Sequence, residues 1–319
     1  MLFQLLGLPN FKNKSMNRRK FTQTALVAGM GLATAPNLFA QSGTVTSHQF
    51  NLKYAPHLGM FKHSAGDDPI DQLNFMADQG FTAFEDNNMN TRPVALQEKM
   101  AATMQKRNLT MGVFVAYKDF SNPTLARGNA DDRRAFLDKI RASVAVAKRV
   151  NAKWMTVVPG TVDLKLVQDY QTANVIESLK QASAILEPHG IVMVLEPLNW
   201  YRNHAGLFLK ESPQAFQICR AVNSPSCKIL FDIYHQQIQE GNLIPNIEKC
   251  WGEIAYFQIG DNPGRKEPTT GEINYKNIFK YIHSRGFKGV LGMEHGNSRP
   301  DKVGEIAVID AYKQVDDFL

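Results

Sequence analysis

The sequence predicts an α/β fold in the form of a single (β/α)₈ barrel, and three observations predict it. Eight short β-rich runs alternate with segments of helical periodicity over about 260 residues, the usual extent of one such barrel. No repeat, low-complexity tract or domain linker interrupts the alternation. No G-x-G-x-x-G or Walker pattern occurs, as a doubly wound nucleotide-binding sheet would require after its first strand. The first run lies near Tyr54, inside the apolar segment 50–61. The others are expected at 81–84, 110–116, 154–158, 191–195, 228–231, 254–259 and 289–293. Between them, Leu137, Ile140, Val144 and Ala147 fall at helical spacing, as do Val175, Leu179, Ala182 and Leu186. Asp68-Pro69 and Ser212-Pro213 read as an N-cap followed by proline at the first helical position. Gly80, Gly190 and Gly286 stand where left-handed residues close helices before the next strand.

Composition narrows the function classes. The 319 residues are 44% hydrophobic and 21% charged, as in ordinary globular proteins. The net charge of +6 suggests a polyanion partner at first, but residues 1–40 hold Lys12, Lys14, Arg18, Arg19 and Lys20 and no acid. The remainder carries 31 basic against 30 acidic residues, a net +1, so no nucleic-acid partner is expected. The leader itself reads Asn17-Arg18-Arg19-Lys20-Phe21, then a mild apolar stretch from Ala25 to Ala35, then Leu38-Phe39-Ala40 before Gln41. That pattern predicts a twin-arginine signal peptide over 1–40 and a periplasmic location, with Met16 a natural start and 1–15 an upstream extension. The apolar stretch is too short to span about 30 Å of hydrocarbon, so no stable membrane insertion is expected. A Ser/Thr/Gly-rich link, 41–47, opens the segment 41–319 assigned to the barrel. Cys219, Cys227 and Cys250 have no metal-like spacing and are expected to be buried free thiols.

The chemistry lies at four strand ends. Glu196, Asp232, Gln258 and Glu294 each follow or end an apolar run, at spacings of 36, 26 and 36 residues that leave room for a helix and two loops. Parallel strands joined this way present their C-terminal ends on one face. Three carboxylates and a carboxamide meeting there form a hard oxygen site suited to a divalent cation.

The motifs around these residues carry a resemblance. They are Val194-Leu195-Glu196-Pro197-Leu198-Asn199, then Phe231-Asp232-Ile233-Tyr234-His235 with Gly241-Asn242-Leu243, then Phe257-Gln258-Ile259-Gly260-Asp261. Pro263-Gly264-Arg265-Lys266-Glu267-Pro268, Gly271-Glu272-Ile273-Asn274-Tyr275 and Gly292-Met293-Glu294 complete the series. In this order and spacing they resemble the hydroxypyruvate isomerase family. It belongs to the xylose isomerase-like TIM barrel superfamily, which also holds ketose 3-epimerases and endonuclease IV-type repair enzymes. The resemblance implies that Glu196, Asp232, Gln258 and Glu294 bind a divalent metal cation, Mg²⁺ or Mn²⁺, with Glu196 and Glu294 as the acid/base pair. It also implies that His235 and Arg265 bind substrate oxygens. Glu85, Glu267 and His57 are the further expected substrate contacts. The chain departs from the family at Phe84-Glu85-Asp86-Asn87, where large apolar residues usually follow the glutamate, and at Lys266, where the family often has His. The polar residues after Glu85 point to a different substrate shape.

The expected activity is a metal-dependent isomerisation of a small hydroxy-carbonyl compound through an enediolate, on hydroxypyruvate/tartronate semialdehyde or a sugar. A keto-sugar epimerase and a non-catalytic periplasmic sugar-binding protein are the alternatives. An endonuclease IV-type phosphodiesterase is opposed by the oxygen-rich donors and the near-neutral charge beyond residue 40. The partner implied is a small sugar or hydroxy acid, and the sequence leaves a homo-oligomer open.

Overall fold

Among the described residues, nine short parallel strands build the eight staves of a closed barrel, with helices outside. The computed structural model describes residues 48–319, so the expected leader (1–40) and link (41–47) lie outside the described residues. The strands are β1 (Lys53–Ala55), β2 (Ala83–Phe84), β3 (Thr110–Met111), β4 (Val115–Lys118) and β5 (Trp154–Val158). They continue with β6 (Val192–Leu195), β7 (Cys227–Asp232), β8 (Ile254–Gln258) and β9 (Val290–Gly292). Seven of them pair in the order β1-β9-β8-β7-β6-β5-β4, and β2 pairs with β3. A His57–Glu85 bridge carries the pairing from the first stave to the second.

The run expected at 110–116 is one stave in two pieces. Tyr256 explains the break: its phenol oxygen accepts from Val113 N at 3.3 Å, and a Cβ on Gly112 would lie 2.3 Å from that oxygen. The phenol therefore displaces ladder bonding at the bend.

Strand periodicity places the site. Side chains alternate across a strand, so every second residue points into the barrel. Ala55, Ala83, Trp154, Val194, Leu230 and Tyr256 belong to the apolar cluster packed inside it. Two residues further along their chains come His57, Glu85, Thr156, Glu196, Asp232 and Gln258. An apolar floor thus carries a polar layer at the C-terminal mouth. Gly292 is part of the arrangement, because a Cβ there would sit 1.9 Å from Glu85 Oε2. Only glycine leaves that carboxyl its place.

The helices form for local reasons. Ala130–Val150 opens on Asn129, whose side chain accepts from Asp131 N and Asp132 N, and carries both aspartates at its positive end. It closes on Asn151 in the left-handed region, φ 53°. Leu137, Ile140, Val144 and Ala147 are buried as their spacing predicts, as are Val175, Leu179, Ala182 and Leu186 of Gln168–Leu186. Asp68 caps Pro69–Asp78 by accepting from Ile70 N at 2.7 Å. The expectation at Ser212 shifts by one residue: Glu211 is the cap and Ser212 begins the helix. Ser212 is buried, and its backbone N and hydroxyl donate to Glu240, which occupies the hydroxyl that would have capped.

The C-terminal helix Asp301–Asp316 locks the barrel seam. Asp316 accepts from Tyr54 Oη at 2.7 Å and Asn51 N at 2.6 Å, while Glu305 accepts from His63 N and Ser64 N. All three cysteines are buried free thiols. Among the described residues no helix is long and apolar enough to cross a membrane.

Candidate active site

The polar layer gathers most of the predicted residues. Glu196, Asp232 and His235 each bring a ligand atom within 4.8 Å of the others, and all three are buried. Asp232 ends β7 and caps Ile233–Gln239, its Oδ1 accepting from His235 N at 3.0 Å. Its Oδ2 is buried without a hydrogen-bond partner, as is Gln258 Oε1 at the end of β8. The Gln258 amide is oriented from behind, since its Nε2 donates to Glu85 Oε1 at 3.3 Å. Tyr256 Oη donates to Glu85 Oε2 at 2.9 Å. Glu85 therefore turns the Gln258 carbonyl oxygen, the only atom of that side chain able to bind a cation, away from itself. Glu85, an expected substrate contact, lies on the floor of the site and lines the larger lobe of the cleft.

Glu294 lies beside the cluster, and Arg265 reaches both it and Asp232. Arg265 Nη2 is 2.7 Å from Glu294 Oε2 and 3.6 Å from Asp232 Oδ2, and Nε donates to the Glu294 backbone oxygen at 3.2 Å. The guanidinium also packs over the Tyr234 ring at 4.9 Å. Asn87 Nδ2 donates to the other Glu294 oxygen at 2.9 Å.

His235 has an assignable proton. Asn199 Oδ1 accepts from Arg202 N and Asn203 N, both at 3.1 Å, so the Asn199 amide nitrogen faces the imidazole. That nitrogen lies 2.6 Å from His235 Nδ1, and Asn199 N also points to it at 3.3 Å. Two donors make Nδ1 the acceptor, which leaves the proton on Nε2, itself buried without a partner. Burial and then Arg265 hold this histidine well below its usual pKa, so it is a neutral donor toward the site.

Burial governs the electrostatics. It pushes the Glu85 and Glu196 carboxyls well above the usual carboxylate range, and Glu294 raises each further. Burial also raises Asp232 and Glu294, against the opposing pull of Arg265. Arg265 keeps its proton: burial disfavours the charge, but Glu294, Asp232 and Glu196 outweigh it. Three buried acids and the half-buried Glu294 thus face one guanidinium, and among the described residues no other Lys or Arg pairs with them. Free oxygens on Asp232 and Gln258, with uncompensated carboxylates around them, fit a divalent cation.

The cleft above has two lobes. The larger, about 430 Å³, is lined by His57, Asp86, Arg92 and His295 among others, and the smaller, about 180 Å³, by Thr156, Glu196, His204 and His235 among others. Asn87, Arg265 and Glu294 line both, so their hydrogen-bonded chain forms the ridge between them. His57 stands on the wall of the larger lobe with both ring nitrogens against backbone carbonyls, Leu58 O at 2.8 Å and His295 O at 3.1 Å. The expectation for Glu267 needs correction. Its carboxylate accepts from Ser298 N at 2.9 Å and from the Ser298 hydroxyl, tying two loops together outside both lobes. Asn87, Thr156 and Asn199 were not among the expected site residues. The signal for Thr156 was its even spacing from Trp154 along one strand; Asn87 lies two residues beyond Glu85.

Residues 73–313 match the family model described as Xylose isomerase-like TIM barrel. The hydroxypyruvate isomerase of Escherichia coli K12 is 30% identical over 178 residues, which are 56% of this chain and 68% of that protein. The chain thus spans about two thirds of that relative's length. The 2-oxo-tetronate isomerase of Pectobacterium atrosepticum is 28% identical over 232 residues, 71% of this chain and 86% of its own. A crystal structure from Brucella melitensis, described as an AP endonuclease of family 2, aligns with a TM-score of 0.69. It is 25% identical and covers 79% of this chain and 96% of its own.

Proposed function

The chain belongs to the xylose isomerase-like TIM barrel family, and on that footing we propose that it is a metal-dependent isomerase of a small hydroxy-carbonyl acid or sugar. The reaction would move a proton between adjacent carbons, interconverting aldehyde and keto forms or shifting a ketone along the chain. The observation that carries this reading is the pair Glu196, buried, and Glu294, half-buried, on separate staves around free oxygens of Asp232 and Gln258. Names of the relatives from Escherichia coli and Pectobacterium support the reaction class.

Each residue has a task. Glu196 and Glu294 take the proton from one carbon and return it to the next. His235 Nε2–H donates to a substrate oxygen as negative charge develops there. Arg265 holds Glu294 in place through Nη2 and Nε, and its remaining Nη1 edge is open to a substrate oxygen. A divalent cation held by Glu196, Asp232, Gln258 and Glu294 would polarise the carbonyl and its neighbouring hydroxyl.

The test is an NMR assay of hydroxy-carbonyl acids and sugars of three to six carbons, run on chelated protein and on protein reloaded with Mg²⁺ or Mn²⁺. At least one compound is expected to interconvert with its isomer, and only after reloading. Failure of every compound with either metal overturns the proposal.

A further inference from the structure

The smaller lobe contains polar groups that the proton transfer does not use. Thr156 is 2% exposed, and its Oγ1 has no hydrogen-bond partner. A buried, unpaired hydroxyl is unfavourable, and Val115, Val158 and Leu198, which line the same lobe, offer it no partner. Asn87 spends its Nδ2 on Glu294, yet its Oδ1 is also buried and unpaired on the same cavity. Lys118, on the cavity's rim, makes no ion pair among the described residues. Its ammonium sits 5.6 Å from the Phe120 ring, which packs on His204 at 5.0 Å, which packs on His235 at 5.4 Å. One continuous wall therefore runs from a free cation to the histidine that faces the reacting oxygens. The charge of Arg265 is already offset by two carboxylates, so among the described residues Lys118 is the cation on this lobe whose charge is unpaired.

We propose that Thr156, Asn87 and Lys118 form a specificity subsite that binds the groups flanking the substrate's reacting carbons, a hydroxyl on one side and the carboxylate on the other. Thr156 Oγ1 and Asn87 Oδ1 hydrogen-bond substrate hydroxyls, and Lys118 pairs with the carboxylate. The lobe's volume of about 180 Å³ equals roughly six waters at about 30 Å³ each, room for a chain of a few hydroxylated carbons. This inference rests on the isomerase reading, and the experiment separates the two.

The Mn²⁺-loaded protein is assayed on two four-carbon 2-oxo acids, one hydroxylated at C3 and C4 and the other lacking the C4 hydroxyl. Wild type should favour the former in kcat/KM by on the order of 10–100-fold, the worth of one buried hydrogen bond. Thr156→Val should bring the two within about threefold, and Thr156→Ser should restore the preference. In parallel, calorimetry follows binding of the four-carbon aldonate, which requires no turnover. Thr156→Val and Lys118→Ala should each weaken it at least about fivefold. A preference unchanged in Thr156→Val overturns the subsite, as does aldonate binding that is equal in all proteins or absent from wild type. If wild type converts neither acid while both variants lose aldonate affinity, the subsite stands and the isomerase reading loses these two acids as substrates.

Discussion

Glu196→Gln is expected to lower turnover by about 10²–10⁴-fold even at metal concentrations that restore full occupancy, and Glu294→Gln to do the same. Glutamine keeps an oxygen donor and nearly the same shape, so the packing survives, but it loses the charge that strengthens metal binding and cannot accept a proton. At position 294 the amide oxygen can keep one of the two donors, Asn87 Nδ2 or Arg265 Nη2, and the contact to the other is lost. The two groups serve one transfer, so the double variant should be little worse than either single one. The pH dependence has a definite sign. A carboxylate acting as base must be ionised, and burial raises both groups. Activity should therefore fall as pH drops through those raised values, from above the ordinary carboxylate range. Near wild-type turnover in both single variants would remove these residues from the mechanism.

The second large effect is at Asp232, which does two things with two oxygens. Oδ1 caps the helix Ile233–Gln239, and Oδ2 is free in the cluster. Asp232→Ala removes both and should cost about 1 kcal/mol of stability through the lost cap. Its metal affinity should fall by more than the roughly 10–100-fold that outer-shell changes produce. Asp232→Asn preserves a capping oxygen, since asparagine is an equally good cap, but removes the negative charge. Its thermal stability without metal should stay near wild type while metal affinity and activity still drop together. Full metal occupancy by elemental analysis in both variants would contradict the assignment.

The strand-end quartet was legible in the sequence for a physical reason. A polar residue closing an apolar run must be solvated, paired or functional, and four such residues at successive staves leave little room for coincidence. The helices were legible too, because their buried residues repeat at helical spacing and their ends carry caps. Other features depend on contacts distant in sequence. Glu267 looked like a pocket residue beside Arg265, and only the folded loops bring Ser298 to it. The shift of the cap from Ser212 to Glu211 depends on Glu240, 28 residues away. Thr156 is inconspicuous because threonine is common in strands; its unpaired hydroxyl becomes visible only when its neighbours prove apolar. Arg265 was expected to grip substrate. Its position between Asp232 and Glu294 could not be read from a Pro/Gly loop, where φ at Arg265 is 50°.

Proton transfer through Glu196 and Glu294, rather than migration of hydrogen with its electrons, is the central claim, and solvent isotope incorporation tests it most directly. Metal-loaded protein is equilibrated with its substrate in D₂O, and recovered substrate and product are read by NMR and mass. The account predicts deuterium at the carbon next to the carbonyl, accumulating at equilibrium and suppressed in both Glu196→Gln and Glu294→Gln. Interconversion that proceeds at full rate with no deuterium in either compound would contradict it.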